Sequence, residues 1–429
     1  MEDFDKSQNY EMIKERMKER PLNRKKLMRR TIITVSMAII FGVFACFTFL
    51  VLEPVFSNIL NPEPEPEEIL LPEEVEEILP EDMLITEEKP KPETTIQIQK
   101  YELDIMENYN ATYDELYLVV QKFQNSMVTV TEVSQNVDWF NNAYENKGQY
   151  AGVIFANSKT QLFILVDSLD IELAEEITVT FRDGSSVPGA YVQHDMNLGL
   201  SVVTINLSDI SEETMDKIGV AGLGSTRASE MLASPVIAIG NIFSNTESVA
   251  YGIITSENTI LNMTDCNYEL LTTDIYGSED AMGYILNTSG YLLGIIHQEQ
   301  NAQEAKNLIS FVGITELRRT LERMSNGREA AYLGIEGMDV TQEANSLQGV
   351  PLGAYVTEIV MDSPAMKAGI QSGDIITAID GMAIPSFSQY VDVLADYEPE
   401  ETVTVTISRQ GAEAYSEIEI PIILGKRRR

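Results

Sequence analysis

The 429-residue chain reads as mostly β, with two folded domains held outside a membrane by one N-terminal helix. Three observations predict this. A single long uncharged apolar run spans residues 31–52, from Thr31 to Leu52. Short β-branched and aromatic runs, separated by Gly, Asp and Asn, then follow one another as far as about Ile314. From about Ala331 a shorter succession mixes strand and helix patterns. Many short strands imply a barrel or sandwich, and the mixed succession implies a compact α+β domain.

The run at 31–52 is long enough for a helix to cross a hydrocarbon core of about 30 Å. Arg24, Lys25, Lys26, Arg29 and Arg30 precede it and Glu53 follows, which places residues 1–30 in the cytoplasm and the remainder outside. It is read as an uncleaved anchor, because it exceeds the apolar stretch of a signal peptide and no A-x-A-like site follows. Residues 53–100 are dominated by Glu and Pro, lack packable periodicity, and are expected to be a charge-extended, disordered spacer.

The formal net charge is −37. Cationic residues are densest in residues 1–30 and in Lys426–Arg429, so the segment between Glu53 and Gly425 is more acidic than the whole. Such a surface repels nucleic acid, which excludes that class of partner. The basic tail, 426–429, is expected to be frayed and solvated. Cys46 lies in the apolar run, so Cys266 has no partner for a disulfide outside the membrane. No C-x-x-C, H-E-x-x-H or EF-hand pattern is present, and no metal or cofactor is predicted.

The first folded domain is placed at 101–327. It opens with a helical stripe, Leu116, Val119, Val120 and Phe123, and closes with a helix over Thr315–Met324 and a Ser325–Gly327 turn. The second is placed at 331–425, with a helix from Ser386 to Tyr397 and a strand at Glu401–Arg409.

Tyr332-Leu333-Gly334-Ile335, Ser363-Pro364-Ala365, Ala368-Gly369-Ile370 and Gly373-Asp374-Ile375-Ile376 together resemble the PDZ domains of bacterial HtrA/DegP-like proteases. The resemblance implies that the Tyr332–Ile335 turn offers backbone amides to the C-terminal carboxylate of a peptide, which adds as a strand. Gly334 lets the amides turn toward an anion, and Leu333, Ile335, Tyr390 and Leu394 are candidates for an apolar side-chain pocket. The implied partners are protein C-termini or extended peptides.

Upstream, Ser126–Val130, Gly152–Ile154, Asp183-Gly184, Ser234–Asn241 and Gly252–Ile254 are similar, in order and spacing, to landmarks of the same family's protease domain, a trypsin-like double β-barrel. The family's catalytic histidine, aspartate and serine then fall on Leu169, Gly199 and Ala281. Acyl transfer needs a hydroxyl, an imidazole and an orienting carboxylate, and these three side chains provide none of them. The oxyanion turn is altered as well, with Glu279 and Met282 where glycines are usual, and a carboxylate there opposes a developing oxyanion. The chain has two histidines, His194 and His297, as candidate displaced bases for Ser168 or Ser278.

Three readings follow. The first is a membrane-anchored, non-catalytic HtrA-like pseudoprotease that binds peptides or proteins in bacterial envelope quality control. The second is a serine endopeptidase that uses noncanonical catalytic groups. The third is an adaptor that assembles as the family's homotrimer, with Tyr113, Tyr117 and Phe123 as candidate contacts.

Overall fold

The computed structural model describes residues 37, 69–71, 105–137, 143–227, 231–243, 248–298, 305–412 and 414–427. The chain divides between Glu67 and Glu68, and of the N-terminal unit only Met37, which is helical, is described. The predicted membrane span therefore lies, but for Met37, outside the described residues, among which no helix is long and apolar enough to cross a membrane.

Helix α1 (Ile105–Phe123) leads into β1 (Met127–Val137), β2 (Ala143–Asn157), β3 (Gln161–Asp167), β4 (Glu176–Phe181), β5 (Ser186–Asp195) and β6 (Leu200–Asn206). These six strands close into a barrel in the order β1-β2-β3-β6-β5-β4. After the single turn α2 (Glu212–Met215) come β7 (Pro235–Asn241), β8 (Ser248–Met263), β9 (Cys266–Tyr276), β10 (Met282–Leu286), β11 (Leu292–Ile296) and β12 (Leu308–Gly313). They close a second barrel in the order β10-β11-β12-β9-β8-β7, and α3 (Ile314–Ser325) follows.

The apolar runs are continuous because both faces of the central strands are covered. Successive side chains of a strand point to opposite faces. In β3, Leu162, Ile164 and Val166 fill the first barrel, while Phe163 and Leu165 join a cluster between the barrels. In β7, Val236 and Ala238 fill the second barrel, while Ile237 and Ile239 join the same middle cluster. The predicted stripe of α1 caps this cluster with Val120 and Phe123 buried and Leu116 and Val119 partly so. Leu317, Leu321 and Met324 of α3 join it as well.

The second domain comprises β13 (Ala331–Tyr332), β14 (Ile335–Asp339), α4 (Gln342–Gln348), β15 (Ala354–Ile359), α5 (Pro364–Ala368), β16 (Ile375–Ile379), β17 (Met382–Ala383), α6 (Phe387–Leu394), β18 (Thr402–Gln410), β19 (Tyr415–Ile423) and β20 (Gly425–Lys426). Its sheet runs β14-β15-β16-β18-β19, which leaves β14 at an edge. Helix α6 is shorter than the predicted 386–397. Ser386 caps its start by accepting from Gln389 N at 3.1 Å, and its last turn tightens, with Asp396 N donating to Val393 O. Short 3₁₀-type bonds of this kind satisfy the last carbonyls and end a helix.

Two segments expected to be loose are bound. Ile69 and Leu71, from the Glu/Pro-rich stretch, are buried against α3. The Ile69 amide donates to Asn326 Oδ1 at 3.0 Å and that of Leu71 to Glu322 Oε1 at 3.2 Å, while Arg318 donates to Leu71 O. An Ile-Leu-Leu triplet amid acidic residues has apolar surface to bury, and α3 offers polar partners for its backbone. The tail is likewise engaged: β20 pairs with β13, Lys426 with Glu329, and Arg427 with Asn197. On α1, Tyr113 and Tyr117 are exposed, whereas Phe123 is in the core and cannot meet a neighbouring copy.

Candidate functional site

The three positions that the resemblance assigns to the triad lie where strands end. Leu169 follows β3 with helical backbone angles and opens a short 3₁₀ turn, Asp170–Leu173. Gly199 sits in the turn between β5 and β6 at φ +72, with open space where a Cβ would be. Ala281 is buried immediately before β10, and its amide donates to Ser278 O at 3.1 Å. Two residues on, Gly283 has φ +146, and a Cβ there would stand 2.3 Å from Ile239 O, so this glycine is required by the close approach of β7 and β10.

Glu279 is half-exposed and paired with Lys306, so its charge is partly compensated and opposes an oxyanion less than its place in the sequence implies. Met282, the less exposed of the two, begins β10. His194 Nδ1 lies 2.6 Å from Tyr191 OH and 3.5 Å from a Glu172 carboxylate oxygen, and the Ser278 hydroxyl donates to Ile242 O at 3.2 Å. His297 is placed by its backbone, its amide donating to Ser310 O at 2.9 Å.

Tyr284, which the sequence reading passed over, ties the barrels together. Its hydroxyl donates to Leu165 O at 3.0 Å and Ala151 O at 3.2 Å, and burial pushes its phenol far above the ordinary range. Tyr284→Phe keeps the ring and strips a donor from two carbonyls. It is expected to lower the stability of the barrels by about 1–2 kcal/mol, read from urea denaturation.

In the second domain, Leu333, Ile335, Tyr390 and Leu394 are all buried. The amides of Leu333, Gly334 and Ile335 converge on one carboxylate, that of Asp265 in the two-residue turn between β8 and β9. Oδ2 accepts from Leu333 N at 2.9 Å and Gly334 N at 2.8 Å, and Oδ1 from Ile335 N at 3.1 Å. Tyr390, expected as a greasy wall, donates its hydroxyl to Oδ1 at 2.6 Å. Burial pushes the Asp265 carboxyl up, against the pull of the Tyr390 hydroxyl and the three amides.

The hairpin also pairs with the free edge of β14. Asp265 N donates to Ile335 O at 2.8 Å, and Asn267 Nδ2 to Gly337 O at 3.0 Å. A cavity of about 140 Å³ adjoins the turn, lined in part by Tyr268, Tyr332, Val391 and Leu394. Of the predicted peptide-binding residues, Tyr332 and Leu394 line this cavity, while Leu333, Gly334 and Ile335 face Asp265 through their backbone amides and Tyr390 through its hydroxyl, so of the four expected pocket side chains Leu394 alone is in its lining. Asp265 is 68 to 70 residues distant in sequence from its amide partners, and no local pattern marks it.

Two closed six-stranded barrels followed by a domain with an amide-lined loop beside a sheet edge define a trypsin-like protein with a peptide-recognition module. The PDZ domain model matches residues 331–420. "Serine protease Do-like HtrA" of Bacillus subtilis (strain 168) is 25% identical over 292 residues, covering 64% of this chain and 63% of that protein. "Periplasmic pH-dependent serine endoprotease DegQ" of Escherichia coli (strain K12) is 24% identical over 280 residues, covering 64% and 59%. The matched region thus spans less than two thirds of these relatives' length. Among solved structures, "HtrA-type protease AlgW with tripeptide" superimposes with a TM-score of 0.51 at 20% identity, covering 73% of this chain and 98% of that one, which shows the shared fold. The chain thus carries a PDZ domain at residues 331–420 and, over 64% of its length, is similar to serine proteases of the HtrA/DegP family.

Proposed function

We propose that this HtrA-like protein is a membrane-anchored, extracytoplasmic pseudoprotease that binds peptide or protein C-termini in bacterial envelope quality control. The observation that carries the reading is Ala281: the position of the nucleophile bears a methyl group, and its amide is spent on Ser278 O. Leu169 and Gly199 add no base and no orienting carboxylate. Loss of a serine nucleophile alone costs about a millionfold in turnover in a related enzyme class. The amide-lined loop at Leu333–Ile335 supports recognition of a carboxylate, and the exposed Tyr113 and Tyr117 face of α1 supports assembly into the family's trimer.

The test is to incubate the protein with unfolded casein and a fluorophosphonate probe. We expect no cleavage and no labelling. A probe-labelled serine, mapped by mass spectrometry, would reject the pseudoprotease reading in favour of a displaced catalytic group. Fractionation of cells into membrane and soluble pools tests the anchor.

A further inference from the structure

We infer that the PDZ carboxylate loop is closed in cis by the Asp265 side chain, an internal stand-in for a peptide end. The groove's external ligand is then a free chain terminus that displaces the β8–β9 turn and brings an apolar last side chain. This rests on the reading of the domain as a peptide-recognition module.

The bond set is that of a bound chain end. Three consecutive amides and one phenol, Leu333, Gly334, Ile335 and Tyr390, meet both oxygens of a single buried carboxylate. The backbone takes part as well, since Asp265 N donates to Ile335 O in the manner of a strand added to β14. Asp265 holds φ +58, a left-handed conformation that Asp tolerates better than most residues and that turns its side chain into the loop.

The internal ligand is incomplete in two respects. The chain reverses at once, with Met263 paired to Cys266, so among the described residues Asp265 bonds β14 through its backbone and Asn267 through its side chain, whereas an extended peptide can run on by its backbone toward Asp339. An Asp side chain spent on the amides also leaves nothing to fill the cavity of about 140 Å³ beside Val391 and Leu394. Its lining mixes Tyr332, Val391 and Leu394 with Asp195, Arg323 and Glu329, so it has room for one short side chain set against the apolar wall. A peptide with a free carboxylate and an apolar last residue therefore offers what the hairpin lacks.

The full-length chain is compared with Asp265→Gly, which suits the positive φ of the turn, and with Asp265→Asn, which keeps the shape and removes the charge. The probe is a fluorescent decapeptide ending in a free C-terminal valine, with its C-terminal amide as control. Because a closed groove lowers apparent affinity by the fraction that is open, Asp265→Gly is expected to bind the free-acid peptide about tenfold or more tightly than wild type, with Asp265→Asn between them. Without peptide, deuterium uptake across residues 331–340 is expected to be faster in Asp265→Gly.

Equal affinity and equal uptake in wild type and Asp265→Gly would overturn the inference while leaving peptide recognition intact. Binding to none of the three, with uptake still faster in Asp265→Gly, would overturn the peptide reading and the inference that rests on it, and leave Asp265 as an interdomain latch.

Discussion

Arg409→Ala is expected to lower the stability of the PDZ domain by about 3 kcal/mol, because it strands a buried carboxylate. Asp374 is 1% exposed. Arg409 clamps it from both sides, Nε to Oδ1 and Nη2 to Oδ2, each at 2.7 Å. Nη2 also donates to Gly369 O at 2.8 Å, and the Gln371 amide adds a fourth bond, to Asp374 Oδ2, so the pair holds the loop between α5 and β16 to strand β18. Arg409→Lys keeps the charge and loses the two-pronged geometry, and so should fall between wild type and alanine. Scanning calorimetry of the full chain reads both variants. A change under about 0.5 kcal/mol for the alanine variant, the scale of an ordinary surface substitution, would show that solvent already screens the pair.

Much of the architecture is legible in the sequence because its period is local. The alternation that splits β3 between two apolar clusters is written in Leu162–Val166, and the end of α3 is marked by Asn326 and Gly327, whose φ is +64. Gly283 is legible for a similar reason, since the close approach of β7 and β10 admits no side chain there. What escaped is what only the third dimension joins. Asp265 is an ordinary turn residue until the β8–β9 hairpin meets β14, and Tyr284 is one apolar position in a strand until its hydroxyl finds Leu165 O. Composition alone also misplaced Ile69 and Leu71, since a segment dominated by Glu and Pro can still carry a triplet that docks on α3.

Gly334→Ala should damage both stability and recognition, for one geometric reason. Gly334 has φ +88, and a Cβ there would lie 2.2 Å from Ser363 Cβ and 2.9 Å from Tyr332 OH. Ser363 cannot readily retreat: it is buried, it caps α5 by accepting from Met366 N at 3.1 Å, and its neighbour Ala365 donates to Leu333 O at 2.9 Å. The left-handed backbone and the overlap together are expected to cost about 3 kcal/mol. Relief by turning the peptide plane moves the Gly334 amide away from its acceptor, so affinity for a free-acid peptide should fall about a hundredfold in an Asp265→Gly background, where no internal carboxylate competes. Anisotropy titration of the double variant against Asp265→Gly alone reads that loss, and circular dichroism separates it from unfolding. Undiminished binding by a folded Gly334→Ala protein would place the carboxylate site somewhere other than the amides of Leu333, Gly334 and Ile335.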